Sequence, residues 1–391
     1  MIGFGVTLPV LPFYARHIDR SVNISREVMA IHITLLTGIY ALAQFIFAPF
    51  WGQWSDRVGR RPLILLGIAG SAVAQLLFGF ATSLGMLYLI RALGGFLSSA
   101  VLPAATSYVA DMTTERDRSR GMAGLGTAVS LGVIAGPAFS GLTTREDLHF
   151  RFGVLDLKIE NFAPPFFLSA ILMFLILLVA IRWLPESLSI PSRSSSRAKP
   201  VLKLQTLGST LLFLLGLTLA GQFGLTVFES TFALYAQEKL SYGPVETGIA
   251  FMICGLVMAV FQIVAVGYLA RSMRPFSQIV LGFGLMGLGI TLLLFTRNLF
   301  PVLATVGLLS LGMALITPNL AALVANRGGQ HTGAVLGIQN AANSLGQVGG
   351  TVFGGLLFAW QINAPYVFAG AFLLAVGILS GWQQRMTNYS D

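Results

Sequence analysis

Charge is scarce in this sequence. Asp, Glu, Lys and Arg make up only 10% of its 391 residues, where soluble domains average about 25%. A soluble surface of ordinary composition is therefore excluded. Cysteine is scarcer still. Cys254 is alone, so an internal disulfide is excluded, and its place inside an apolar block reads as a buried structural thiol. Acids are outnumbered by bases, 15 to 24, for a formal net charge of +9. The bases sit between apolar blocks and not on one face or tail, so no nucleic-acid partner is expected. The sequence also lacks a phosphate-cradling Walker loop, a His/Cys cluster at metal-ligand spacing and a nucleophile motif. No enzyme activity, cofactor or metal is expected. A basic region ahead of a cleavable leader is missing too. The apolar segment Ile2–Ala15 would make only about 21 Å of helix, so either the first helix is truncated or the true start lies upstream.

Long apolar blocks fill the space that charge leaves. Residues of the hydrophobic class make up 55% of the chain, in runs of about twenty, the length that spans a bilayer core as a helix. The expected helices are 2–16, 29–50, 63–82, 84–108, 121–142, 164–184, 205–235, 247–269, 276–296, 300–323, 333–359 and 364–383, twelve in all. The fold class is thus an all-α membrane protein of two six-helix halves, 1–184 and 205–391. Its linker, 185–204, is rich in Ser, Pro and Arg from Pro185 to Pro200 and reads as mobile. Lys and Arg concentrate in the even-to-odd loops, the linker and the C-terminus. This predicts a multi-pass protein of the cell inner (plasma) membrane with both termini cytoplasmic. Between Thr143 and Asn161, Phe150, Phe152 and Val154 alternate with Arg151 and Gly153, which predicts a small outer β-hairpin.

The halves carry traces of one unit. SLGVIAGPAFSGL from Ser130 and SLGQVGGTVFGGL from Ser344 share Ser, Leu, Gly, Gly, Phe and Gly at one constant offset. Pro103 in helix four faces Pro318 in helix ten at nearly the same offset, and Asp111 faces Asn326. Duplication of a six-helix unit is a sequence sign of a transporter with two pseudo-symmetric halves.

Helices two and three are joined by GQWSDRVGRRPLIL, read as a short loop. A positive-inside loop explains its arginines but not the frame Gly52, Asp56, Gly59, Arg60, Arg61. That frame resembles the loop signature of the major facilitator superfamily. The resemblance implies a latch that holds the cytoplasmic side closed, with Asp56 against the N-terminus of helix eleven near Gly333 and Arg60 paired with Asp111. A helix N-terminus favours an anion, and an arginine–carboxylate fork is geometrically selective. The second copy, GYLARSMRP from Gly267, has lost the acid and the glycine.

Gly3–Pro12 is similar to the first-helix signature of twelve-helix drug:proton antiporters. Gly132, Gly136, Pro137 and Gly141 match their antiporter motif, with Ser140 in place of a glycine. Small residues there let helices approach and the proline bends one of them. Phe223–Pro244 resembles the Gram-positive quinolone and multidrug efflux pumps. Those pumps can carry an acid and an arginine in helix ten, where this chain has Ala314 and Thr317.

Two strongly ionisable residues fall well inside predicted spans, Arg91 and Glu229. A charge there costs at least about 2.5 kcal/mol and is kept only with a partner, a cavity or a task. Both are candidates for proton coupling, Arg91 in a stretch that resembles the family's fourth-helix motif. His32 reads as interfacial. Candidate substrate contacts are Tyr40, Gln44, Phe228, Glu229, Phe232, Gln339 and Asn343, since aromatic residues suit flat apolar or cationic ligands. The resulting expectation is a monomeric secondary transporter in the lipid bilayer whose partners are a small-molecule substrate and protons. It would export lipophilic or cationic compounds by alternating access. The alternatives are export of an endogenous sugar or lipid precursor, or a transport-inactive membrane sensor.

Overall fold

The computed structural model describes residues 2–18, 26–114, 118–143, 162–187, 208–264, 273–328 and 332–388. Among them the helices are α1 (Ile2–Ile18), α2 (Arg26–Val58), α3 (Arg60–Gly79), α4 (Leu84–Ser98), α5 (Val101–Met112), α6 (Arg118–Thr143) and α7 (Pro164–Trp183). They continue with α8 (Ser209–Lys239), α9 (Pro244–Val264), α10 (Pro275–Leu293), α11 (Leu299–Gly328), α12 (Thr332–Trp360) and α13 (Ala364–Asn388). Each of the twelve expected spans has its helix, with α4 and α5 sharing the fourth, and no strand occurs among the described residues. Nine stretches of the described chain are long and apolar enough to cross a membrane. The predicted outer hairpin and most of the linker lie outside the described residues.

Two spans differ locally from expectation. The fourth is not continuous, because Ser99 and Ala100 form a turn between α4 and α5. The ring of Pro103 conflicts with the carbonyl four residues earlier, and the Ser99 hydroxyl holds the turn by donating to the Phe96 carbonyl at 2.7 Å. The second span runs through Pro49 to Val58, past its apolar run. Gly52, Asp56 and Arg57 therefore ride the last turns of α2, not a loop. The connection to α3 is Gly59 alone, at φ 120°, a conformation that favours glycine.

Packing divides the chain into two compact units. One comprises Met1–Ser25, Leu36–Lys199 and Thr247–Ile249, and the other Arg26–Leu35, Pro200–Glu246 and Ala250–Asp391. In the first, α3 packs on α7, α4 and α5, and α1 packs on α6. In the second, α8 packs on α12, and α10 packs on α11 and α13. Glycine makes the α8–α12 approach close. A Cβ on Gly346 or Gly350 would lie 2.5 Å from the carbonyl of Leu219 or Phe223.

The surface explains the missing charge. α7 exposes Ile171, Phe174, Leu175, Leu178 and Val179, and such an apolar outer face is stable only against lipid. Trp54, Trp183, Trp360 and Trp382 are exposed near helix ends, where indole rings suit the membrane interface. By contrast, 67% of the apolar window of α8 is buried. A buried helix of this kind is where a polar side chain has to be accounted for.

Candidate functional site

The loop residues form one tight knot in the first unit. Gly59 donates its N–H to the Ser55 carbonyl at 3.1 Å and turns the chain into α3. Arg60, only 7% exposed, then points back. Its Nε donates to Asp111 Oδ2 at 3.1 Å, and its Nη1 donates to Ser55 Oγ at 2.8 Å. Arg61 Nη2 donates to the Ile181 carbonyl on α7 at 2.7 Å. Gly52 faces Pro103 of α5, to which an added Cβ would come within 3.8 Å. Asp56 lies on the last turn of α2; its side chain is outside the described ones, as is the environment of Gly333.

Two further residues complete the knot, and sequence reasoning missed both. Glu186 Oε1 accepts the Arg60 backbone N–H at 2.9 Å and that of Ser187 at 3.1 Å. Ser187 Oγ donates to Asp111 Oδ2 at 3.2 Å. Composition alone places both in the linker. Pro185 stops α7 and leaves Glu186 beside the first turn of α3, whose N–H groups have no acceptor within the helix. An acid directly after a span-ending proline was the available signal.

A second cluster surrounds Arg91. The side chain is 4% exposed on α4, with its guanidinium carbon 5.1 Å from the Tyr40 ring centroid and 5.7 Å from that of Phe78. The Tyr40 and Ser98 hydroxyls are hydrogen-bonded at 2.9 Å, and Gln44 Nε2 donates to Ser98 Oγ at 3.2 Å. Gly95 makes this possible, since a Cβ there would lie 2.6 Å from the Tyr40 carbonyl. The structure thus brings Tyr40, Gln44 and Arg91 together, around a serine and a phenylalanine that the sequence did not single out. Among the described residues, nothing accepts from Arg91 Nε or Nη2.

The third cluster lies in the second unit. Glu229 is half-buried on α8. The neighbouring rings of Phe228 and Phe232 are fully buried, 4.8 Å apart, and both pack on Phe251 at 5.8 and 5.5 Å. In this conformation they are core. Gln339 on α12 is also buried and donates to Thr218 Oγ1 at 3.4 Å. Thr218 is about 16 Å of helix from Glu229 at 1.5 Å per residue, so Gln339 and half-buried Asn343, one turn on, are not gathered around the carboxyl. His32 is half-buried on α2.

The glycine–proline stretch lies on α6. Gly132, Gly136, Pro137 and Gly141 are all buried. A Cβ on Gly136 would come 2.7 Å from the Cα of Gly5, so α1 and α6 touch backbone to backbone. Pro137 sits mid-helix and withholds one N–H from the α6 ladder.

A buried arginine without an acceptor among the described residues, a half-buried acid in a core helix and a glycine-turned basic knot are the polar features held among these apolar helices. The sequence profile of the Major Facilitator Superfamily matches residues 1–326. The chain belongs to the Major Facilitator Superfamily. It is a membrane transporter of that fold and not an enzyme. It is 29% identical to Multidrug resistance protein 2 of Bacillus subtilis (strain 168), over 98% of this chain and 92% of that one. It is likewise 29% identical to the class B Tetracycline resistance protein of Escherichia coli, over 97% and 88%. The Quinolone resistance protein NorA of Staphylococcus aureus (strain COL) is 24% identical over 97% and 92%. In fold, a bacterial homologue of the human lysosomal transporter Spinster, solved inward-facing and occupied, superimposes with a TM-score of 0.73 at 15% identity, over 98% of this chain and 94% of that one.

Proposed function

We propose that this transporter is a proton-coupled exporter of small lipophilic or cationic compounds. The observation that carries the reading is Glu229, a carboxyl on the most buried long helix with no hydrogen-bond or ion-pair partner among the described residues. A carboxyl kept there can take up and release a proton during a transport cycle, or meet a cation in its place. Support for the substrate class comes from the relatives, two of which are named for multidrug and quinolone resistance. The protein works as a monomer in the plasma membrane with both termini cytoplasmic. Two six-helix halves, 1–184 and 205–391, exchange access by rocking. The knot of Arg60, Asp111 and Ser55, with Asp56 beside it, is the cytoplasmic latch, and Pro137 with its glycines provides the bend in α6.

The experiment is transport in proteoliposomes driven only by an imposed pH gradient, read over a panel of aromatic cations and neutral lipophiles. Wild type should concentrate several members of the panel. Glu229→Gln keeps the shape of the side chain but cannot ionise. It should abolish uphill export while binding stays measurable. If Glu229→Gln still concentrates substrate against its gradient, the carboxyl is structural and the proton is carried elsewhere.

A further inference from the structure

The two nitrogens of Arg91 that lack a partner among the described residues are not an arbitrary pair. Nε and Nη2 lie on one edge of the guanidinium plane, with their N–H bonds parallel. That edge is the fork that binds both oxygens of a carboxylate at once. Both atoms are buried and have no acceptor among the described residues. Two other arginines of the same unit are answered at least in part by the chain, although Arg61 Nε too is buried without a partner among the described residues. Arg60 spends Nε on Asp111 and Nη1 on Ser55, and Arg61 spends Nη2 on the Ile181 carbonyl.

The plane of Arg91 is also held. The Tyr40 and Phe78 rings lie 5.1 and 5.7 Å from its guanidinium carbon. Tyr40 is in turn fixed through Ser98 and Gln44. Desolvated donors without an acceptor are destabilising, more so when charged. A buried fork with no acceptor among the described residues is open to an acceptor that the chain does not supply. Proton carriage does not account for it, because a guanidinium does not give up its proton in proteins. A carboxylate meets the two parallel donors with two oxygens in one plane, where a water or carbonyl would share one oxygen between them.

We propose that the Nε/Nη2 edge of Arg91 is a receptor for a carboxylate on the transported compound, with the Tyr40 and Phe78 rings orienting the fork. The proposal rests on the export reading for its ligand class, since the carboxylate would be borne by an aromatic, lipophilic molecule. The range of this exporter then extends from simple cations to compounds that also carry an acid.

The test uses a rhodamine dye as its free carboxylic acid and as its methyl ester, which differ only at that group. Equilibrium binding to the purified protein in detergent, without any gradient, is read by fluorescence polarisation for wild type, Arg91→Gln and Arg91→Lys. The acid should bind wild type about tenfold or more tightly than it binds Arg91→Gln, the factor expected from losing a charged hydrogen-bonded pair. Arg91→Lys, which keeps the charge but not the fork, should fall between. The ester should bind all three within about twofold, which also shows that the variants are folded. An equal loss of acid and ester binding in Arg91→Gln overturns the proposal and makes the arginine structural. So does acid binding that is unchanged by the substitution or absent in wild type. Export of both dyes under a pH gradient is measured alongside. Failure of export with the acid preference intact counts against the coupling reading and leaves the receptor standing.

Discussion

The first unit ties α3 to α5 with ions and the second ties α10 to α11 with amides. In the first, Arg60 and Asp111 meet at 3.1 Å with side chains 8% and 30% exposed, so water reaches one partner. In the second, fully buried Gln278 accepts from Asn319 Nδ2 at 3.0 Å and donates to the Met273 carbonyl at 3.1 Å. Asn319 donates also to the Leu315 carbonyl at 2.8 Å. A partly exposed ion pair contributes about 0–1 kcal/mol, because each charge is nearly as well solvated apart. A buried neutral pair contributes little more when made, but costs about 1–3 kcal/mol when one partner is left without the other. The first tie can be broken at small cost and the second cannot, a difference that the proposed rocking of the two halves would use.

The contrast is broken most directly from the amide side. Gln278→Leu leaves Asn319 Nδ2 without its side-chain acceptor and the Met273 carbonyl without a donor. It should lower stability by about 2–3 kcal/mol, read as a clear drop in the thermal unfolding midpoint in detergent, while turnover per folded molecule stays near wild type. An unchanged midpoint would remove the distinction between the two ties.

Gly59→Ala probes the turn that positions the ionic tie. Its φ of 120° is one that alanine adopts only under strain, of about 1–2 kcal/mol. Stability should fall by that amount, and transport should fall with it because Arg60 is displaced. A variant as stable as wild type would mean that the turn relaxes freely.

The smallest stability effect is expected at the ion pair itself. Asp111→Asn should change stability by less than about 1 kcal/mol, yet slow turnover several-fold, because the proposed latch has been altered. Glu186→Gln should act in the same direction and more weakly, since glutamine keeps an oxygen for the Arg60 N–H. A large loss of stability with normal turnover in Asp111→Asn would reverse the assignment of the two ties.

Much of this was readable along the chain. The apolar runs marked a helix at each of the twelve expected places, and by length and composition nine stretches of the described chain can cross lipid. The Gly–Asp–Gly–Arg–Arg frame pointed to the superfamily, and Arg91 and Glu229 stood out because charge is so rare in spans. Boundaries were less readable. α2 outran its apolar block because a helix continues into water wherever nothing stops it, and the stop was Gly59, not the end of hydrophobicity. The split of the fourth span at Ser99 follows from Pro103, whose effect falls four residues upstream of its own position.

Sequence by itself determined the solvent of this protein, its helices and its family, since each depends on local composition or on a motif that is contiguous in the chain. Only the tertiary structure decided which polar groups are answered. Glu186 meets Arg60 across 126 positions and Gln278 meets Asn319 across 41, and no periodicity encodes either pairing. It decided as well that Phe228 and Phe232 close on Phe251 as core, and that the two donors on one edge of Arg91 stand together without an acceptor among the described residues. A hydrogen bond depends on distance and direction in space, and these arise only when helices far apart in sequence have packed.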